Sequence, residues 1–222
     1  MTAKPISRRT FLKTAGIALG GIALVGSGIS LTDKYQSMDS FPQYTFGEKN
    51  MQNKILVTYA SGTGSTAGVA EAIGKTLANN GSQVDVLPMN DVRDLTSYQA
   101  VVAGSAIQAG KWLPEAMQFI QENQAQLARK PFASFLVCMT LAMPKAEEYR
   151  AHVSTWMNPV NAIVRPVSQG LFAGALDTQK IPSFGDRMKF RLSVLMGVWK
   201  EGDHRDWKAI QTWAASLAPK LS

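Results

Sequence analysis

Residues 54–77 read KILVTYASGTGSTAGVAEAIGKTL. Ile55 to Ala60 is an apolar run of the kind expected for a strand covered on both faces of a sheet. From Thr66 to Asn79 the period changes to that of a helix, with Val69, Ala70, Ile73 and Leu77 on one face and Asn80-Gly81 as its stop. Between them lie Ser61, Gly62, Thr63, Gly64, Ser65 and Thr66, four hydroxyls and two glycines. A hydroxyl-rich turn opening a helix is an anion site, because unpaired amides and the helix dipole converge there. The ligand expected at this loop is a phosphate.

Three phosphates compete. The P-loop pattern finds its ending in Gly74-Lys75-Thr76, but Val69 stands where its first glycine belongs, and the GKT lies inside the helix. The dinucleotide fingerprint fits better, with Gly62, Gly64 and Ala67 in G-x-G-x-x-[GA]. Its companion acid, Asp91, comes late and behind Pro88. A pyrophosphate needs mainly close backbone approach, whereas a terminal monoester, with three free oxygens, calls for donors on every side. The hydroxyl density of Ser61, Thr63, Ser65 and Thr66 favours the monoester.

Outward from this loop, short apolar runs alternate with helical stretches. Val84 to Leu87 reads as a second strand whose polar alternation suggests an edge, and Tyr98 to Gly104 as a buried third. Leu113 to Leu127 reads as a helix with Pro114 in its first turn, Phe132 to Cys138 as a fourth strand and Glu147 to Met157 as a helix. A fifth strand falls within Val164 to Ala175, and Trp207 to Leu217 closes the chain as an amphipathic helix. This alternation predicts an α/β three-layer sandwich around an open parallel sheet, with the ligand beyond the carboxyl ends of the strands. Three segments leave such ends: Ser61 to Thr66, Ser105 to Trp112 and Cys138 to Met143.

The chain of 222 residues suits one domain with an appended segment. Its formal charge is +7, but residues 1–33 hold Lys4, Arg8, Arg9 and Lys13 against Asp33 alone, leaving 19 basic and 15 acidic residues in the body. That balance, with no basic run interleaved with aromatics, argues against nucleic acid. A single cysteine, Cys138, excludes an intramolecular disulfide or a CxxC pair, and His152 and His204 have no metal-ligand spacing. No metal is expected, and no side chain stands out as a general acid or base.

Ser7-Arg8-Arg9-Thr10-Phe11-Leu12-Lys13 followed by a glycine-rich apolar stretch matches a twin-arginine export signal. The apolar part, Ala15 to Leu31, also sits at the lower edge of membrane-spanning length. Residues 1–32 are therefore expected to be an export signal or a retained anchor, placing the protein in the periplasm or on the outer face of the cytoplasmic membrane. The resemblance to twin-arginine cargo implies folding with a cofactor before export. Residues 33–53 lack periodicity and read as a tether, and 54–222 as the domain.

The pattern [ST]-x-T-G-x-T, here Ser61, Thr63, Gly64 and Thr66, resembles the FMN phosphate loop of flavodoxins. The resemblance covers roughly Lys54 to the C-terminus and implies a five-stranded sheet in the order 2-1-3-4-5, with FMN as cofactor. By that resemblance GSAIQAGKW, residues 104–112, would wrap the isoalloxazine ring. Its contacts would come from Ser105, Ala106, Ile107, Ala109, Gly110, Lys111 and Trp112, with Cys138, Met139 and Thr140 bordering the other side. Trp112 would either stack on the ring or pack at the start of the following helix. Cys138 reads as a strand-end packing residue rather than a redox participant. These loops hold no Asp or Glu, unlike the acidic surround usual in flavodoxin carriers.

In the last third, GLFAGAL (170–176) precedes FGDRMKFRLSVLMGVWK (184–200), a helical extension around 179–204. That arrangement resembles the flavodoxin subgroup that includes menaquinone-dependent protoporphyrinogen oxidase. Met188, Leu192, Leu195, Met196 and Trp199 would either pack on the sheet or face a quinone or a membrane. The functions to separate are an electron carrier with a redox partner protein, a flavin-dependent oxidase or quinone reductase, and a cofactor-free binding module.

Overall fold

The computed structural model describes residues 41–48 and 53–221, so the export signal or anchor at 1–32 lies outside the described residues. The strands are β1 (Tyr44–Phe46), β2 (Lys54–Ala60), β3 (Gln83–Pro88), β4 (Ala100–Gln108), β5 (Lys111–Trp112), β6 (Phe132–Cys138), β7 (Ser168–Ala173), β8 (Ala175–Leu176) and β9 (Gly202–Asp203). The helices are α1 (Ser65–Asn79), α2 (Pro114–Glu122), α3 (Gln124–Leu127), α4 (Ala146–Ser154), α5 (Asn158–Ile163), α6 (Phe184–Leu195) and α7 (Trp207–Leu221). The main sheet runs β1-β3-β2-β4-β6-β7, with β5 folded back on β4 and β8-β9 forming a separate ribbon.

The five parallel strands β3-β2-β4-β6-β7 stand in the expected 2-1-3-4-5 order, giving the α/β class anticipated. Their apolar composition follows from burial on both faces: every residue of β6, and all of β2 from Ile55 to Ala60, is buried. One core layer lies beneath α1 and α7 and holds Ile55, Val57, Ile73, Leu77, Phe135 and Ile210. The opposite layer holds Leu56, Val101, Phe119, Leu136, Met157 and Val160, under α2, α4 and α5.

Three expectations change. The tether is not wholly outside the sheet, because Tyr44–Phe46 pairs antiparallel with β3, Thr45 opposite Asp85. The second strand is consequently not an edge; β1 is. The helix expected over Leu113 to Leu127 breaks at Asn123, whose side-chain amide donates to the Phe119 carbonyl oxygen (2.9 Å), and α3 follows.

Candidate functional site

Register brings the strand ends together. Ala60 is opposite Ser105, Ala106 opposite Val137, and Cys138 opposite Ala173, so the loops after β2, β4, β6 and β7 leave the sheet side by side. The winding reverses between β2 and β4, where ligands of open α/β sheets bind.

The first loop is a tight turn built on Gly64, whose φ of 88° is left-handed and which precedes α1. The Gly64 amide donates to Ser61 Oγ (3.0 Å), and the Ala175 amide donates to Ser65 Oγ (2.8 Å). Both hydroxyls act there as acceptors, so what each has left to offer a ligand is a proton. Thr66 is fully buried in the first turn of the 15-residue α1, and its Oγ1 has no hydrogen-bond partner. A buried orphan hydroxyl at a helix N-terminus is costly by itself and fits a group that supplies acceptor oxygens. Gly62 and Thr63 are half-buried at the loop tip. The donor set fits a phosphate monoester.

The second loop is a two-residue hairpin. Ile107 pairs with Trp112 and Gln108 with Lys111, around Ala109 (φ 49°) and Gly110 (φ 76°), as a turn with two left-handed central residues requires. Ser105 does not face outward. It is fully buried, accepts from the Leu113 amide (3.0 Å) and donates to the Ala106 carbonyl oxygen (2.7 Å), clasping the hairpin's base. Trp112 is 4% exposed and belongs to the core beside Leu113 and Ala116, so of its two placements the structure supports packing at the start of α2. The aromatic beside the hairpin tip is Trp156: a Cβ built on Gly110 would lie 3.2 Å from its indole nitrogen. His152 meets that indole edge-on, with ring centres 5.5 Å apart. Ala106, Ile107 and Gly110 are half-buried, while Ala109 and Lys111 are exposed.

The third loop begins as a 3-10 turn, Met139–Ala142, with Met139 and Thr140 half-buried. Cys138 is buried, and burial pushes its thiol up to about 11, against weaker opposing hydrogen bonds from the Leu141 and Thr140 backbone. The thiol therefore stays protonated at neutral pH and packs behind the loop.

A fourth segment, unforeseen as part of the site, ties these loops together. The Gly174 amide donates to the Cys138 carbonyl oxygen (3.2 Å), and a Cβ on Gly174 would lie 3.2 Å from both Ser65 Oγ and Val137 Cγ1. Glycine at 174 thus lets the β7–β8 junction touch the first loop and the strand beneath it. Arg205 reaches the same place from the other side, Nη1 donating to the Ser65 carbonyl oxygen (3.3 Å). Its guanidinium is paired twice with Asp203 (2.7 Å each) and lies over the Trp207 ring. Among the described residues no group of three or more His, Cys, Asp or Glu is placed to hold a metal, and no helix is long and apolar enough to cross a membrane. An open groove of about 830 Å³ between α1 and α7, lined by Glu71, Lys75 and Gln211, lies on the outer helix faces and not at the strand ends.

Residues 56–204 match the family model of the flavodoxin domain. A relative, the protoporphyrinogen IX dehydrogenase (quinone) of Leishmania major, is 26% identical over 173 residues, spanning 74% of this chain and 74% of its own length. Among solved structures, a short-chain flavodoxin associated with a non-canonical PDU bacterial microcompartment matches with a TM-score of 0.51 at 15% identity, over 77% of this chain and 100% of that one. A flavodoxin from the domain Archaea matches with a TM-score of 0.46 at 20% identity, over 76% of this chain and 98% of that one.

Proposed function

The chain belongs to the flavodoxin-domain family, and from that premise we propose that it carries FMN at the converging loops and works in electron transfer. The carrying observation is Thr66, a buried hydroxyl without a partner in the first turn of α1, inside a loop whose Ser61 and Ser65 hydroxyls have protons to give. Ser61 to Thr66 would hold the phosphate, and Ala106, Ile107, Ala109, Gly110 and Lys111 would border the ring from one side, with Met139 and Thr140 opposite. Ser105, Trp112 and Cys138 support these loops from behind. When bound, FMN supplies one- and two-electron redox chemistry; the chain orients the ring and excludes water from it.

A second reading, a flavin-dependent oxidase or quinone reductase, is favoured by the extension that carries α6. The family match runs through it to residue 204, and the relative at 26% identity is named as a quinone-linked dehydrogenase. We place the protein in the periplasm or on the outer face of the cytoplasmic membrane, on the strength of Ser7 to Lys13.

The test is a visible spectrum of protein folded in the cytoplasm, followed by FMN titration of the stripped protein. A yellow flavoprotein is expected; no flavin and no uptake would leave a cofactor-free binding module. Stopped-flow mixing of the reduced protein with a menaquinone analogue then separates the two readings, since rapid turnover supports the quinone enzyme and sluggish oxidation the carrier.

A further inference from the structure

The helix α6, Phe184–Leu195, contains no buried residue. Its capping is sound: Ser183 Oγ accepts from the Asp186 amide (3.3 Å), and the Arg187 guanidinium donates twice to the Ile181 carbonyl oxygen (3.0 and 2.8 Å). Its apolar side chains, however, are not on the sheet. Phe184, Met188, Leu192, Leu195 and, one residue beyond the helix, Met196 are between 45% and 84% exposed. For Met188, Leu192, Leu195 and Met196 the reading that packed them on the sheet therefore fails, while Trp199 is half-buried.

At 100° per residue these five positions fall within one arc of about 120°. Arg191 flanks one side of that arc and Lys189 the other, while Phe190 and Val194 are half-buried on the opposite side. The helix's single acid, Asp186, pairs with Lys189 (3.1 Å). An outward apolar stripe between basic rails is the design of a helix lying in a membrane interface. The geometry points to a single occupant: we propose that α6 docks on an anionic lipid bilayer, its stripe entering the headgroup boundary and Lys189 and Arg191 meeting lipid phosphates. A second copy of the chain fits less well, because five side chains fall far short of the ~20–30 residues a side in stable interfaces, and like charges would face one another. Placement adds a reason for docking. The insert departs after β7 and Gly174 and is closed at its base by the separate β8-β9 ribbon, beyond which the His204 amide donates to the Gly174 carbonyl oxygen (3.1 Å), so it is carried at the same end as the site.

The proposal goes beyond the electron-transfer reading and is tested without reference to activity. Cys138 is buried, so Leu195→Cys in the full chain gives one reactive thiol for an environment-sensitive NBD label. The label should be water-exposed in free protein. It should shift to the blue with phosphatidylcholine–phosphatidylglycerol vesicles, be quenched by brominated lipid tails, and respond weakly to phosphatidylcholine alone. Lys189→Glu with Arg191→Glu should raise the lipid concentration for half-response roughly tenfold or more. A label at Gln118→Cys, exposed on α2, should not respond. Three results would overturn the proposal. A silent Leu195 label with vesicles leaves the stripe in water, a shift driven by protein concentration alone assigns it to a second copy, and a label already blue before lipid assigns it to residues 15–31 of the same chain. The flavin spectrum of the same sample reports the electron-transfer reading separately.

Discussion

Thr66 affects the stripped and loaded protein in opposite directions. Without an anion, its buried hydroxyl lacks a partner, a desolvation cost of about 1–3 kcal/mol. With a phosphate bound, the same hydroxyl gains a hydrogen bond to a charged group, worth about 1.5–3 kcal/mol. Thr66→Val should therefore raise the urea midpoint of stripped protein while weakening FMN binding about ten- to a hundredfold and leaving riboflavin binding nearly unchanged. Fluorescence titration with both flavins checks it, and equal losses for the two would detach the phosphate from this loop. Asp85 supports the sheet margin by a different balance. Burial alone pulls its carboxyl upward, but hydrogen bonds from Lys54, Tyr98 and Thr45 outweigh that and hold it below the usual carboxylate range. A depressed folded value means the contribution is present above the ordinary aspartate value near 4 and fades as pH falls through the folded one. Asp85→Asn should cost about 1–3 kcal/mol in urea unfolding at pH 7, and the gap to the unmutated protein should narrow at pH 3. A gap that widened in acid would reverse the sign of this linkage.

Among the elements, β1 shows what a short strand contributes and why it escapes notice. Three residues, Tyr44–Phe46, shield β3 from being an edge, with Tyr44 and Phe46 stacked (5.6 Å). The turn beyond it rests on Gly47, at φ 84°, where a Cβ would collide with the Ser82 carbonyl oxygen. Gly47→Ala should cost at least about 1 kcal/mol, since both the backbone conformation and the close approach oppose a side chain. Urea unfolding should show it, together with faster amide exchange in β3; exchange unchanged in β3 would mean that β1 is dispensable. The longer parallel strands were legible because burial on both faces forces apolar runs into the sequence, as in Phe132 to Cys138. Three residues cannot display a period, so β1 was not. The apolar period of α6 was readable too, but periodicity shows that a face seeks cover and not what provides it. Trp112 stayed open between two placements for a related reason: it lies next to the hairpin in sequence, whereas Trp156, which reaches Gly110, comes from another helical segment.

At the scale of the whole molecule, the candidate site is assembled from distant parts of the chain. Its hydroxyl turn is local and was readable, but Ser65 is held by Ala175, 110 residues away, and by Arg205, 140 residues away. Pairings over such distances leave no local pattern, which is why Gly174 and Arg205 could not be read beside the hydroxyl turn, whereas Thr63 and Thr66 stand within it. The same separation bears on when a cofactor can enter. The first loop's two distant supports, Ala175 and Arg205, lie beyond β7 and beyond the α6 insert in the chain, so a chain still threading or unfolded lacks the complete cradle. A flavin taken up in the cytoplasm would consequently be lost on any route that unfolds the chain, and retained on one that carries folded cargo. The twin-arginine address proposed from the paired arginines at residues 8 and 9 would be a route of the second kind. Arg8→Lys with Arg9→Lys leaves charge and hydropathy nearly unchanged and removes only the motif. The variant should therefore accumulate in the cytoplasm, folded and yellow, while the unmutated chain is found beyond the membrane with flavin bound. Fractionation with flavin fluorescence of each compartment measures this. Equal distribution of the lysine variant and the unmutated chain would reject the twin-arginine address.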